Sequence, residues 1–106
     1  MRRVLLAPPA KTFVEQEMRY LRDRNPAAAA AFRAGVSRLG RQLARFPQSG
    51  FLREDIPLGG IYRIVFGDYR ADYELVADAV LILLVRHGRQ VEPGLPVDDD
   101  TDYEAP

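Results

Sequence analysis

The chain has 106 residues with 15 basic and 15 acidic side chains, one histidine and no cysteine. That length supports one hydrophobic core and not two, while the lack of cysteine excludes disulfides and thiolate chemistry, and a lone His87 builds no zinc site without several carboxylates. The balanced charge hides an asymmetry: up to Arg89, fifteen basic residues stand against nine acidic ones, a surplus of six, and Glu92, Asp98, Asp99, Asp100, Asp102 and Glu104 then bring the sum to zero.

Arg2 to Ala7 is a short apolar run ended by Pro8-Pro9 and reads as a first strand. From about Pro9 to Arg24, Val14, Met18 and Leu21 recur at helical spacing, with Phe13 and Tyr20 widening the stripe. Asn25-Pro26 breaks this helix, because the residue before proline is pushed out of the helical region. A second helix starts at Pro26, runs through the alanines Ala27 to Ala31, and carries a stripe of Phe32, Val36, Leu39, Leu43 and Phe46. Its other side holds Arg33, Arg38, Arg41 and Arg45, a solvated face or a contact for nucleic acid or protein. Gly35 and Gly40 lie inside it, each costing about 1 kcal/mol against alanine, and close packing against the first helix is the expected reason.

Pro47-Gln48-Ser49-Gly50 stops the helix, and Phe51 to Gly60, with Pro57 and Gly59-Gly60, reads as irregular. Ile61 to Leu75 then forms a hairpin about a two-residue Gly67-Asp68 turn, which suits the twist of paired strands. The turn predicts the register. Phe66 faces Tyr69, Ile64 faces Ala71 and Tyr62 faces Tyr73 on an aromatic, core-directed side; Val65 faces Arg70, Arg63 faces Asp72 and Ile61 faces Glu74 on a charged side. A last strand from Val80 to His87 follows a tight turn at Ala77-Asp78, with Leu75 opposite Val80 and Tyr73 opposite Ile82. Alternation along it predicts Leu81, Leu83 and Val85 on the charged side and Val80, Ile82 and Leu84 on the aromatic side.

The expected fold is therefore α+β, in the order β-α-α-β-β-β, with a helical hairpin packed on one face of a small antiparallel sheet. Residues 1–90 make the domain, and residues 91–106 form an acidic, proline-containing tail whose composition is that of a flexible segment. Such a tail is a solubilising extension, a contact to a partner, or an internal cover for the basic face. The domain's open face holds an apolar strip bordered by Arg63, Arg70 and His87, and a strip of that kind seldom stays in water. No nucleotide-binding glycine motif is present, since Gly59-Gly60 alone makes no phosphate loop, and neither metal nor cofactor is expected. The longest apolar run, Ala79 to Val85, falls far short of the roughly 20 residues needed to span a bilayer. Val4 to Ala7 is too short for the core of a signal peptide. A cytoplasmic protein without membrane contact is expected.

The opening Val4-Leu5-Leu6-Ala7-Pro8-Pro9-Ala10-Lys11, the helix end Leu43-Ala44-Arg45-Phe46-Pro47-Gln48-Ser49-Gly50, the pairs Tyr62-Arg63 and Tyr69-Arg70, and the ending Val85-Arg86-His87-Gly88-Arg89 together resemble the RelE/ParE superfamily of toxins from bacterial type II toxin–antitoxin modules. The resemblance implies a growth-inhibiting toxin neutralised by a cognate antitoxin in a hetero-oligomeric complex, with the antitoxin bound over Arg63, Arg70, Leu81, Leu83 and Val85. It further implies one of two targets. RelE-like members cut messenger RNA on the translating ribosome, which here would use Arg63, Arg70, His87 and Arg89, with His87 or Glu74 to carry protons because arginine stays protonated. ParE-like members poison DNA gyrase through protein contacts. Val65 stands two residues after the first cation, where RelE has lysine, and Tyr103 lies too deep in the tail to match RelE's C-terminal tyrosine, which favours the ParE-like reading. An inactive relative that only binds an antitoxin-like partner is the third possibility.

Overall fold

The computed structural model describes residues 1–57 and 59–88. The acidic tail, Arg89 and Gln90 at the domain's expected end, and Leu58 fall outside the described residues. The elements are β1 (Arg3–Leu6), α1 (Pro8–Arg24), α2 (Pro26–Arg45), β2 (Phe51–Leu52), β3 (Ile61–Phe66), β4 (Tyr69–Val76) and β5 (Ala79–His87). The α+β reading holds. The helical hairpin packs on one face of a five-stranded sheet of order β1-β5-β4-β3-β2. Strands β2 to β5 are antiparallel, and β1 adds a parallel edge with Val4 opposite Val80 and Leu6 opposite Ile82. The expected irregular segment after Gly50 opens with the two-residue strand β2, which pairs with Tyr62 and Arg63 of β3.

Prolines Pro8 and Pro9 occupy the first positions of α1, where a missing N–H costs nothing. Asn25 serves both helices. Its backbone N–H donates to the Leu21 carbonyl at 2.6 Å, ending α1, and its side-chain Oδ1 accepts from the Ala28 N–H at 3.1 Å, capping α2. The sharp hairpin so produced lays Ala10, Leu39 and Leu43 on Ile64, Ala71, Tyr73, Val80, Ile82 and Val85.

Two residues expected in the helical stripes are outside the core. Tyr20 is exposed and lies beneath the Arg24 guanidinium, 4.0 Å from its ring centre, and Phe46, beyond the end of α2, is exposed. The helical glycines do not mark close helix packing either. A Cβ on Gly35 would meet Phe66 of the sheet at an ordinary 3.7 Å, and one on Gly40 would meet nothing within 4 Å. Gly50 is the crowded glycine, its hypothetical Cβ lying 2.7 Å from the Arg63 carbonyl oxygen and 2.9 Å from the Tyr73 hydroxyl. Here the turn after α2 docks onto the stacked Tyr62–Tyr73 pair: Gly50 N–H donates to the Tyr73 hydroxyl at 2.9 Å and Gln48 Nε2 to the Tyr62 hydroxyl at 3.1 Å.

The β3–β4 register is the one predicted from the Gly67-Asp68 turn, pair by pair from Phe66–Tyr69 to Ile61–Glu74. Between β4 and β5 the expected pairs Leu75–Val80 and Tyr73–Ile82 form, but Asp72 then pairs with Leu84, not Leu83. Leu83 is the extra residue of a β-bulge, and an inserted residue reverses the alternation for everything beyond it. Val85 consequently faces Ala71 in the core, at 4% exposure. The open face receives Leu81, Leu84 and Arg86 instead of the expected Leu81, Leu83 and Val85, and His87 turns to the helical side opposite Tyr69.

Candidate functional site

The side of the sheet away from the helices gathers Arg53, Arg63, Arg70 and Arg86 about Asp72. Alternation along β3 and β4 places Arg63, Arg70 and Asp72 there, and the bulge adds Arg86 and Leu84 from β5. Arg63 grips Asp72 with two hydrogen bonds, Nε to Oδ1 at 2.7 Å and NH2 to Oδ2 at 3.1 Å, the fork geometry that makes arginine–carboxylate pairs strong. This cross-strand ion pair is largely buried. Arg53, from the segment after β2, adds a 3.4 Å contact to the same carboxylate and holds Asp55 with its other nitrogens. That hydrogen bonding keeps the Asp55 carboxyl below its ordinary pKa.

Arg70 and Arg86 stand directly opposite each other in the β4–β5 ladder. Asp72, gripped by Arg63, is the carboxylate enclosed with them, and Leu84 lies alongside.

A second cluster lies through the sheet, against α1. Tyr69 donates its hydroxyl to Glu17 Oε2 at 2.6 Å, and His87 Nε2 lies 3.5 Å from the same oxygen. Phe13 and Phe32 close around them, with ring centres 5.6 Å from His87 and 4.6 Å from Tyr69 respectively. Burial, and next the Glu17 hydrogen bond, push the Tyr69 phenol far above its ordinary value. Glu17 is itself only 8% exposed.

Of the residues expected from the sequence, Arg63, Arg70 and Leu81 share the open face, with Glu74 opposite Leu81 at its edge. His87 is separated from them by the thickness of the sheet, Val85 is in the core, Leu83 occupies the bulge, and Arg89 is outside the described residues. Arg53, Arg86 and Glu17 were not anticipated. Among the described residues no group of histidines, cysteines or carboxylates is placed to hold a metal ion, and no helix is long and apolar enough to cross a membrane.

A family model described as the ParE toxin of the type II toxin–antitoxin system, parDE, matches residues 4–92. A solved structure described as the chromosomal ParDE TA system from P. aeruginosa shares the fold, with a TM-score of 0.64 at 14% identity over 82% of this chain and 96% of that one. A search of curated proteins finds no match to the sequence.

Proposed function

The chain belongs to the ParE toxin family, within the RelE/ParE superfamily, and is a toxin of a type II toxin–antitoxin module with a cognate antitoxin as partner; from that premise we propose that it arrests growth by ParE-like poisoning of DNA gyrase. One observation carries the choice of target. The cationic groups Arg53, Arg63, Arg70 and Arg86 occupy one face, whereas His87 lies on the other, paired with Glu17 and packed by Phe13. Cleavage of a phosphodiester by the 2′-hydroxyl needs a proton acceptor and a proton donor beside the groups that hold the phosphate. A guanidinium performs neither role near neutral pH, and Glu74, the remaining carrier, sits at the edge of the face opposite Ile61. The face is better fitted to hold an acidic chain than to cut a nucleic acid.

The same face is the proposed antitoxin site, with Arg63, Arg70 and Arg86 taking acidic side chains and Leu81 and Leu84 taking apolar ones. Induced expression of the toxin without its antitoxin tests both parts. Growth arrest with gyrase-linked DNA breaks supports the reading, and arrest with messages cut inside translating ribosomes replaces it with the RelE-like one. Absence of arrest leaves the module's co-repressor role. Arg70→Glu is expected to abolish antitoxin binding whichever target is hit.

A further inference from the structure

Positive charge is concentrated on one helix. Over its 20 residues α2 carries Arg33, Arg38, Arg41 and Arg45 and no acidic side chain, whereas residues 46–88, which supply β2 to β5, hold four arginines against six carboxylates. All four arginines of α2 are exposed, and among the described residues no carboxylate lies within ion-pair distance of any of them. Successive helical residues turn by about 100°, which sets Arg38, Arg41 and Arg45 within about 60° of one another, with Arg33 beside them. They point away from the buried Leu39 and Leu43 of the same helix. Toward α1 the surface continues, because Arg19 and Arg22 line a groove between the helices with Arg33, and Glu15 is the one carboxylate lining it.

The remaining side chains decide the kind of partner. Apart from the arginines, α2 exposes alanines with Pro26, Ser37 and Gln42. Protein interfaces are anchored by aromatic and large apolar side chains, and single-stranded nucleic acid by aromatic rings that stack on its bases. The helix exposes neither, since its one aromatic residue, Phe32, is buried. A duplex instead presents phosphates, and arginine contacts to them supply its sequence-independent affinity. From Arg33 to Arg45 the arginines cover about 18 Å of helix axis, a length over which duplex DNA offers about ten phosphates.

We propose that the arginine face of α2, extended by Arg19 and Arg22, is a sequence-independent binding surface for the phosphate backbone of duplex DNA. It lies on the opposite side of the molecule from the open face of the sheet. Its occupancy does not depend on whether the toxin's target is gyrase or the ribosome.

Fluorescence anisotropy of a labelled DNA duplex of arbitrary sequence, titrated with the full-length toxin at several salt concentrations, tests this. The logarithm of the association constant should fall against that of salt with a slope of about −3.6, the value for four phosphate contacts at about −0.9 each. Replacing Arg38→Ala and Arg41→Ala together should flatten the slope by about 2 and weaken binding by at least about tenfold near 0.1 M salt. Alanine is the strongest helix former, so this variant keeps its fold. Arg38→Lys with Arg41→Lys, which retains the charge, should retain the slope. Arg3→Ala, which removes an exposed charge from the edge strand β1, should change neither slope nor affinity. Equal losses in Arg3→Ala and Arg41→Ala would mean that net charge alone holds the DNA, and would overturn the proposal. Tighter binding of a single-stranded RNA of the same length, or of a polyglutamate peptide, also overturns it, by making the face a site for those chains. Binding is read with neither gyrase nor ribosome present, so failure of the gyrase reading and failure of this one are separate results.

Discussion

The Tyr69 hydroxyl donates to Glu17 Oε2 at 2.6 Å, a bond that ties the first residue of β4 to the middle of α1 across 52 positions of sequence. Because Glu17 is buried, the bond's main value lies in what its loss would leave behind, a carboxylate out of water with His87 at 3.5 Å as its remaining partner. Tyr69→Phe is expected to destabilise the fold by about 1–3 kcal/mol, measured as a lower urea midpoint. Glu17→Gln, which keeps an acceptor and removes the charge, should cost less, and the double variant should be less destabilised than the sum of the singles. Additive effects would show that the two residues do not depend on each other.

Alkaline pH should loosen the same region. Burial raises the phenols of both Tyr69 and the fully buried Tyr73 above their ordinary 10.0, with Glu17 adding to the shift at Tyr69. The folded state therefore keeps protons that the unfolded chain surrenders, so this contribution to stability is complete below about pH 10 and declines as pH rises above it. Urea midpoints measured from pH 8 to 12 should be flat and then fall, with a shallower fall in Tyr69→Phe. An unchanged slope in that variant would remove Tyr69 as a source.

Asp72 and Asp55 both meet Arg53, and they should differ sharply in weight. Asp72 is enclosed among arginines, and Asp72→Ala leaves buried guanidinium groups facing one another, at an expected cost of about 3–5 kcal/mol. The Asp55 side chain is 65% exposed, and Asp55→Ala should cost no more than about 1 kcal/mol. Thermal unfolding of the two variants at low and high salt separates them, and comparable losses would contradict the burial argument.

Two glycines should respond to alanine in opposite directions. At Gly50 the new methyl would meet the Arg63 carbonyl oxygen and the Tyr73 hydroxyl below 3.0 Å, so the turn after α2 must shift, costing about 1–3 kcal/mol. At Gly40 it would enter open space inside a helix, and Gly40→Ala should stabilise by up to about 1 kcal/mol. Urea titration of each variant decides, and a Gly40→Ala that destabilises would imply a contact absent from the isolated chain.

Most of the fold was legible because it is written in local signals. Asn25-Pro26 marks a helix boundary whatever the tertiary context, and Gly67-Asp68 fixes a hairpin register within a few residues. The candidate site was half legible. Arg63 and Arg70 follow from the hairpin, but Arg86 and His87 exchange faces at Leu83, where the apolar run Leu81 to Val85 supplies no alternation to reveal a bulge. Arg53 reaches the site from a segment without periodicity. Glu17 did carry a signal, since it stands four residues after Phe13 and three after Val14, inside the apolar stripe of α1, where a carboxylate requires a partner.

The bulge makes its own prediction, because it assigns the neighbours Leu84 and Val85 to opposite sides of the sheet. Val85 packs against Ala71 in the core, and Val85→Ala should cost about 2 kcal/mol in stability while leaving the affinity of the folded toxin for its antitoxin unchanged. Leu84 adjoins Arg63, Arg70 and Arg86 on the open face, and Leu84→Asp should weaken the antitoxin complex by repelling an acidic partner and removing an apolar contact. Calorimetric titration with the antitoxin, paired with urea unfolding of each free variant, separates the two effects. The reverse pattern, with Val85 controlling binding and Leu84 controlling stability, would mean that β5 pairs with β4 without the inserted residue, and would return His87 to the face that holds the arginines.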